Sequence, residues 1–172
     1  AGIASHHRYE MLNDIQFQIR NKFLAQIKLR ACLPQANANP GEIQFYELLL
    51  SHLQSSQDSK SVIDVGCRNW SYVSALRKYF ANAQITGIEL DGGRRYWNLY
   101  RRIDAAESYG RHSSARALMM DFLDFKLETD KNPFFCFFYP FVSENPCVKW
   151  GIPAHYSDYS RQIAHANALA EG

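Results

Sequence analysis

The chain has 172 residues, of which 47% are apolar and 21% charged, and its net charge is +2. This length fits one domain, and this composition excludes a wholly disordered or collagen-like chain. The charge is too small to argue for nucleic acid by itself. The longest strongly apolar stretch, 134–142, is far short of the roughly 20 residues that a membrane span needs. Because the N-terminus also lacks the apolar run of a signal peptide, we expect a cytoplasmic protein that does not contact a membrane.

The four cysteines, at 32, 67, 136 and 147, contain no CxxC pair, and the chain has no HExxH motif. Spacings of this kind do not favour a structural zinc site, so we expect reduced thiols and no metal.

Two helices are predicted before the first strand, over 5–31 and 42–54. Each has apolar residues at steps of three or four, which form one stripe per helix. The stripes are Leu12, Ile15, Ile19, Phe23 and Ile27 on the first helix, and Ile43, Tyr46, Leu50 and Leu53 on the second. We expect both stripes to pack on the core, so that residues 1–57 form a helical region of one domain that spans residues 1–172.

Strands then alternate with helices through residues 58–172. Short apolar runs predict strands at 61–65, 84–90, 115–120 and 134–141, and the segments between and after them predict helices at 71–80, 93–108 and 157–170. This alternation indicates an α/β fold with a parallel sheet and helices on both faces.

Acidic residues stand at three consecutive strand ends. Asp64 precedes Gly66 after the first strand, Glu89 ends the second, and Asp121 follows the third. Ligands of open parallel sheets bind beyond the carboxyl ends of the strands, where an acid can accept ribose hydroxyls and a glycine lets backbone approach the ligand. Asp91 and Asp124 are competing acids near the second and third ends.

These strand ends resemble the motifs of the class I S-adenosylmethionine-dependent methyltransferases. The resemblance covers residues 42–172 in order, through Val62-Ile63-Asp64-Val65-Gly66-Cys67, Gly87-Ile88-Glu89-Leu90, Met120-Asp121-Phe122 and the apolar fourth strand. It implies a Rossmann-like sheet of order 3-2-1-4, S-adenosylmethionine as cofactor, and methyl transfer to an acceptor that the sequence does not identify. The cofactor-binding residues that it implies are Asp64, Gly66, Cys67, Glu89, Asp121 and Phe122.

The loop after the first strand departs from the family pattern. Arg68 and Trp70 stand where the family usually has glycine, so their side chains either narrow the methionine end of the pocket or turn away from it. A catalytically inactive, methyltransferase-like binding module is therefore an alternative. A nicotinamide-dependent oxidoreductase is another, but its loop should read GxGxxG and this loop does not.

Four arginines interleave with aromatic residues in the helix predicted over 93–108. Helical geometry places Arg94, Arg95, Arg101 and Arg102 on one side and Tyr96, Leu99, Tyr100 and Ile103 on the other. We expect the aromatic side to pack on the sheet and the arginines to face water. A docking surface for nucleic acid or an acidic partner is the alternative interpretation of the same face.

Two questions stay open at this level. Tyr139, His155 and Tyr156 lie near or after the end of the fourth strand and are equal candidates for a general base. Four strands make a smaller sheet than the family has, and they leave an apolar strand at an edge that could pair with other chains. We expect the chain to be a fragment, a partner subunit such as a second copy to cover that edge, or the N-terminal helices to cover it.

Overall fold

The computed structural model describes residues 11–23, 39–53, 58–95, 100–127, 133–138, 152–153 and 159–171. The candidate bases Tyr139, His155 and Tyr156 lie outside the described residues. Within the described ranges, every helix is too short or too polar to cross a membrane.

A parallel sheet of four strands forms the centre of the structure. The strands are β1 (Ser61–Val65), β2 (Gln84–Ile88), β3 (Arg116–Leu118) and β4 (Phe134–Cys136), and their order is β3-β2-β1-β4. Val62 of β1 lies between Ile85 of β2 and Phe134 of β4. The predicted α/β fold and strand order are therefore confirmed, although β3 and β4 are shorter than their apolar runs predicted.

The helices that accompany this sheet are numbered in chain order. Helix α1 covers residues 11–23, as α-helix over 11–18 and π-helix over Ile19–Phe23. The others are α2 (Pro40–Ser51), α3 (Val73–Tyr79), α4 (Arg102–His112) and α5 (Tyr159–Glu171).

The core has two layers, one on each face of the sheet, because side chains alternate in direction along each strand. Val62 and Ile85 face one layer, where they join buried residues of α2, α3 and α4. Ile63 and Ile88 face the other, where Ala166 of α5 covers them. Because successive strand side chains point to opposite faces, both faces of the sheet are apolar and covered, as predicted.

Helix α1 packs through a different face from the predicted one. The described residues of its apolar stripe are exposed, up to 71% at Phe23, and Ile27 lies outside the described residues. Phe17 instead is 5% exposed and packs with Leu90 and Ile152. On α2 the prediction is confirmed for Tyr46 and Leu50, which are buried, and wrong for Leu53, which is exposed. The expectation that the α1 stripe packs on the core is wrong, because polar contacts described below fix the orientation of this helix.

The arginine-lined helix predicted over 93–108 is also wrong for the residues of its first half that the structure describes, 93–95 and 100–101, whereas Tyr96 and Leu99 lie outside the described residues. Residues 91–93 form a turn and α4 begins at Arg102, where Asp104 Oδ2 accepts a hydrogen bond from Arg101 N at 3.2 Å. Arg101 is buried, and Arg94, Arg95 and Arg102 are partly buried. The four arginines therefore do not form one solvated helical face, and the structure does not support the docking surface inferred from that face.

Candidate nucleotide-binding edge

The loop after β1 has the backbone of a glycine-rich loop, although only the first of its three left-handed residues is glycine. Gly66, Arg68 and Trp70 have φ values of 78°, 56° and 60°. This left-handed region costs residues other than glycine about 1–2 kcal/mol each. The sequence departs from the family pattern at Arg68 and Trp70, but the alternating left-handed turns of the loop are present.

The two bulky side chains of this loop leave it in opposite directions. Arg68 is exposed, whereas Trp70 is fully buried between β2 and α4. Two glycines make room for the indole: a Cβ on Gly87 would lie 2.9 Å from its ring, and one on Gly110 would lie 3.1 Å from it. Trp70 thus fills the core.

Asp64 at the end of β1 is tied to that core. It is fully buried, and its Oδ2 accepts hydrogen bonds from Trp70 Nε1 at 2.8 Å and Tyr72 OH at 2.7 Å. Its Oδ1 accepts none from the described residues. Burial raises the pKa of Asp64 to about 7, against the lowering effect of the two hydrogen bonds, and the charge of Glu89 adds to the rise.

Glu89 connects the loop, the end of β2 and α4. Its Oε2 accepts a hydrogen bond from Arg68 N at 2.7 Å, and its Oε1 accepts from Asp91 N at 2.8 Å and Arg102 Nη1 at 3.2 Å. The residue is 1% exposed. The loop is further held to β2 because the N–H groups of Gly66 and Cys67 both donate to Ile88 O. The structure therefore brings the ends of β1 and β2 into direct contact.

Asp91 is the centre of a second group of charges at the same edge. Its Oδ1 accepts from Arg20 Nε of α1 at 2.7 Å, and its Oδ2 accepts from Arg94 Nε at 2.5 Å. Arg102 Nη1 lies 4.0 Å from Oδ2. Although Asp91 is fully buried, these guanidinium groups compensate its charge.

The other three predicted site residues have contacts of their own. Asp121 caps a short 3-10 turn, Phe122–Asp124, by accepting a hydrogen bond from Leu123 N at 2.9 Å. Phe122 is buried on the α5 side of the sheet, where its ring meets His165 edge-on. Cys67 is fully buried, and burial raises the pKa of its thiol well above the usual range, which keeps it protonated.

The residue types at this edge fit an adenosyl cofactor, but hydrogen bonds within the chain already occupy most of the acceptor positions of Glu89. A carboxylate offers about four acceptor positions, and Glu89 already accepts three hydrogen bonds from the chain. Both hydroxyls of a ribose could bind it only if one of those donors left. Of the three, Arg102 makes the longest contact.

Sequence reasoning missed the contribution of α1 to this edge. Arg20 and Asn21 reach Asp91, Leu90 and Gly93, about 70 residues further along the chain. No local pattern in residues 11–23 signals such a contact, whereas the acidic residues that follow β2, Glu89 and Asp91, were visible in the sequence.

No family model matches this chain, and no curated protein matches it. Among solved structures, it is similar to the mitomycin 7-O-methyltransferase MmcR, with 12% identity and a TM-score of 0.48 over 75% of this chain and 33% of that one. It is also similar to magnesium protoporphyrin IX methyltransferase from Synechocystis PCC 6803 with bound SAH, with 15% identity and a TM-score of 0.47 over 92% and 64% of the two chains. A third is DesVI of Streptomyces venezuelae, with 16% identity and a TM-score of 0.43 over 92% and 50%.

The chain spans less than two thirds of the length of each of these three structures. The function proposed below therefore rests on the sheet order and on the residues at the strand ends.

Proposed function

We propose that this domain binds S-adenosylmethionine at the carboxyl ends of β1, β2 and β3 and transfers its methyl group to an acceptor. One observation carries the proposal: Arg68 N, within the left-handed loop after β1, donates to the carboxylate of Glu89 at the end of β2. Two motifs that the sequence places 25 residues apart thus form one edge, where ligands of such sheets bind.

Each predicted residue has a role in this proposal. Glu89 would hold the ribose hydroxyls, and Asp121 with Phe122 would contact the adenine. Gly66 and Cys67 would let backbone approach the methionine part, and Asp64 would hold this loop through Trp70 and Tyr72. The cofactor supplies the activated methyl group, and the protein contributes chiefly by placing it in line with the acceptor.

Isothermal titration of the chain with S-adenosylmethionine and S-adenosylhomocysteine tests the proposal. We expect a dissociation constant in the micromolar to submillimolar range, and a loss of at least about tenfold in Glu89→Gln, because one acceptor charge is removed. Glu107→Gln, the same change at an exposed residue of α4, is the matched control. Absence of binding of both compounds at millimolar concentration would overturn the proposal.

A catalytically inactive binding module is the second candidate, and two observations favour it. The Trp70 side chain is fully buried in the core, and the carboxylate of Glu89 already accepts three hydrogen bonds from the chain. Replacing Trp70 by glycine would empty a core site at a cost of about 3–5 kcal/mol, so this variant is unsuitable. Arg68→Gly is the usable one, and cofactor binding that appears only in Arg68→Gly would support the inactive module.

A further inference from the structure

Helix α1 is attached to the candidate site by a polar clamp, which we define as Arg20 and Asn21. Arg20 Nε donates to Asp91 Oδ1 at 2.7 Å. Asn21 Nδ2 donates to Leu90 O at 3.3 Å, and Asn21 Oδ1 accepts from Gly93 N at 3.2 Å. Asn21 thus bonds the backbone on both sides of Asp91, so the clamp holds the turn that follows β2 at three points.

Apolar burial contributes little to this attachment. Among the described residues of α1, Phe17 alone is buried, while large apolar side chains along the helix face solvent. These exposed residues are Met11, Leu12, Ile15, Ile19 and Phe23. A segment that is held by few buried contacts opens at a lower free energy than the core. The clamp also lies in the π-helical part of α1, a helix form that is frequent at functional sites.

The clamp acts on the two acids that a ribose would approach. Arg20 and Arg94 hold the two carboxylate oxygens of Asp91, and Asp91 N in turn donates to Glu89 Oε1. With α1 in this position, Asp91 is fully buried and Glu89 is 1% exposed. The turn that the clamp holds therefore contains Asp91 and supplies one of the three hydrogen bonds that Glu89 accepts, and the carboxylate of Glu89 is inaccessible in this arrangement.

We infer that α1 is an autoinhibitory strap whose clamp must release before a ligand reaches Glu89. The inference rests on the proposed function, because it assigns a regulatory element to the same site. A ligand whose binding-competent state is rarely populated binds with an apparent affinity reduced by that population. Weakening the clamp should therefore raise the affinity of the site.

The test compares the native chain with the double variant Arg20→Gln/Asn21→Ala. Arg94 still pairs with Asp91 in this variant, so no buried carboxylate is left uncompensated. Lys22→Gln is the matched control, because Lys22 is exposed on the same helix and its loss changes the charge equally. Amide hydrogen exchange and titration with S-adenosylhomocysteine are measured on all three chains.

We expect exchange in residues 15–23 to rise about tenfold in the double variant and to stay unchanged in β1 and β2. We also expect the dissociation constant to fall by about tenfold, with the control equal to the native chain. Equal affinity in all three chains, or unchanged exchange in residues 15–23, would overturn the strap and leave the proposed function intact. Absence of binding by every chain would instead overturn the proposed function, and the strap with it.

Discussion

The buried carboxyl group of Asp64 should make the fold less stable as the pH rises. Its pKa is about 7 in the folded chain, against a usual value of 3.8, because burial penalises the charged form. Between these two pH values the folded state binds a proton that the unfolded state has lost. The free energy of unfolding contributed by Asp64 therefore falls as the pH rises from about 4 to about 7, and then levels off.

The size of this effect follows from the gap between the two pKa values. One pH unit of difference corresponds to about 1.4 kcal/mol, so the full gap is worth about 4 kcal/mol. Between pH 5 and pH 8 the loss should be about 3 kcal/mol. Glu89 adds to the rise in the pKa of Asp64, whereas Trp70 and Tyr72 oppose it through hydrogen bonds to Oδ2.

Urea unfolding of the native chain and of Asp64→Asn, at pH 5, 6, 7 and 8, isolates this contribution. Asparagine keeps an acceptor oxygen for Trp70 and Tyr72 but does not titrate. Groups that titrate equally in both chains cancel in the difference between their free energies of unfolding. The native chain should lose about 3 kcal/mol relative to Asp64→Asn across this range.

Two results would refute this reasoning. A difference that is constant within about 0.5 kcal/mol would mean that Asp64 titrates alike in the folded and unfolded states. A native chain that gains stability relative to Asp64→Asn as the pH rises would mean that the folded pKa is lowered.

Three further changes test the local structure by urea or thermal unfolding. Gly87→Ala should lower the free energy of unfolding by about 1–3 kcal/mol, because its Cβ would lie 2.9 Å from Cys67 Sγ and the Trp70 ring. Gly41→Ala, the control, should change it by no more than about 0.5 kcal/mol. Equal losses in the two variants would contradict the packing described. Asn39→Ala should cost about 1 kcal/mol, because Gly41 N loses its acceptor at the start of α2, and a neutral result would argue against this cap. Arg68→Val should lower the free energy of unfolding by about 1–3 kcal/mol, because a β-branched residue is strained at φ 56°. Arg68→Asn should be tolerated, because asparagine adopts the left-handed region more readily. Equal stability of the two variants would exclude a left-handed residue at this position.

Local pattern was sufficient to predict the sheet. The run at 61–65 coincides with β1 residue for residue, because Val62, Ile63 and Val65 are β-branched and suit a strand buried on both faces. The parallel order 3-2-1-4, which the family resemblance implied, is likewise observed. At the site, Asp64, Gly66 and Glu89 do lie at one edge, but their hydrogen-bond partners were not predictable because several come from other elements.

The arginine segment shows where local pattern was insufficient. Arginine favours helix, and the interleaved aromatics give residues 93–108 a helical pattern. The buried carboxylate of Asp91 instead pairs with Arg94, which lies before α4, whereas Arg102 pairs with Glu89 from the first residue of α4. Neutralising the buried charge of Asp91 outweighs the small preference of Arg94 for helix.

Helix α1 shows the same limit at longer range. Its apolar periodicity correctly indicated a helix, but the bond from Arg20 to Asp91 joins residues 71 positions apart. This contact and the clamp around it decide which side of α1 meets the sheet.

The packing of Trp70 against Gly87 and Gly110 couples three positions that lie on a loop, a strand and a helix. The indole occupies space that a side chain at either glycine would need. Substitutions at these positions should therefore be non-additive, because a smaller residue at position 70 would lower the cost of a side chain at position 87. The loop, β2 and α4 thus constrain one another's sequence through a single side chain.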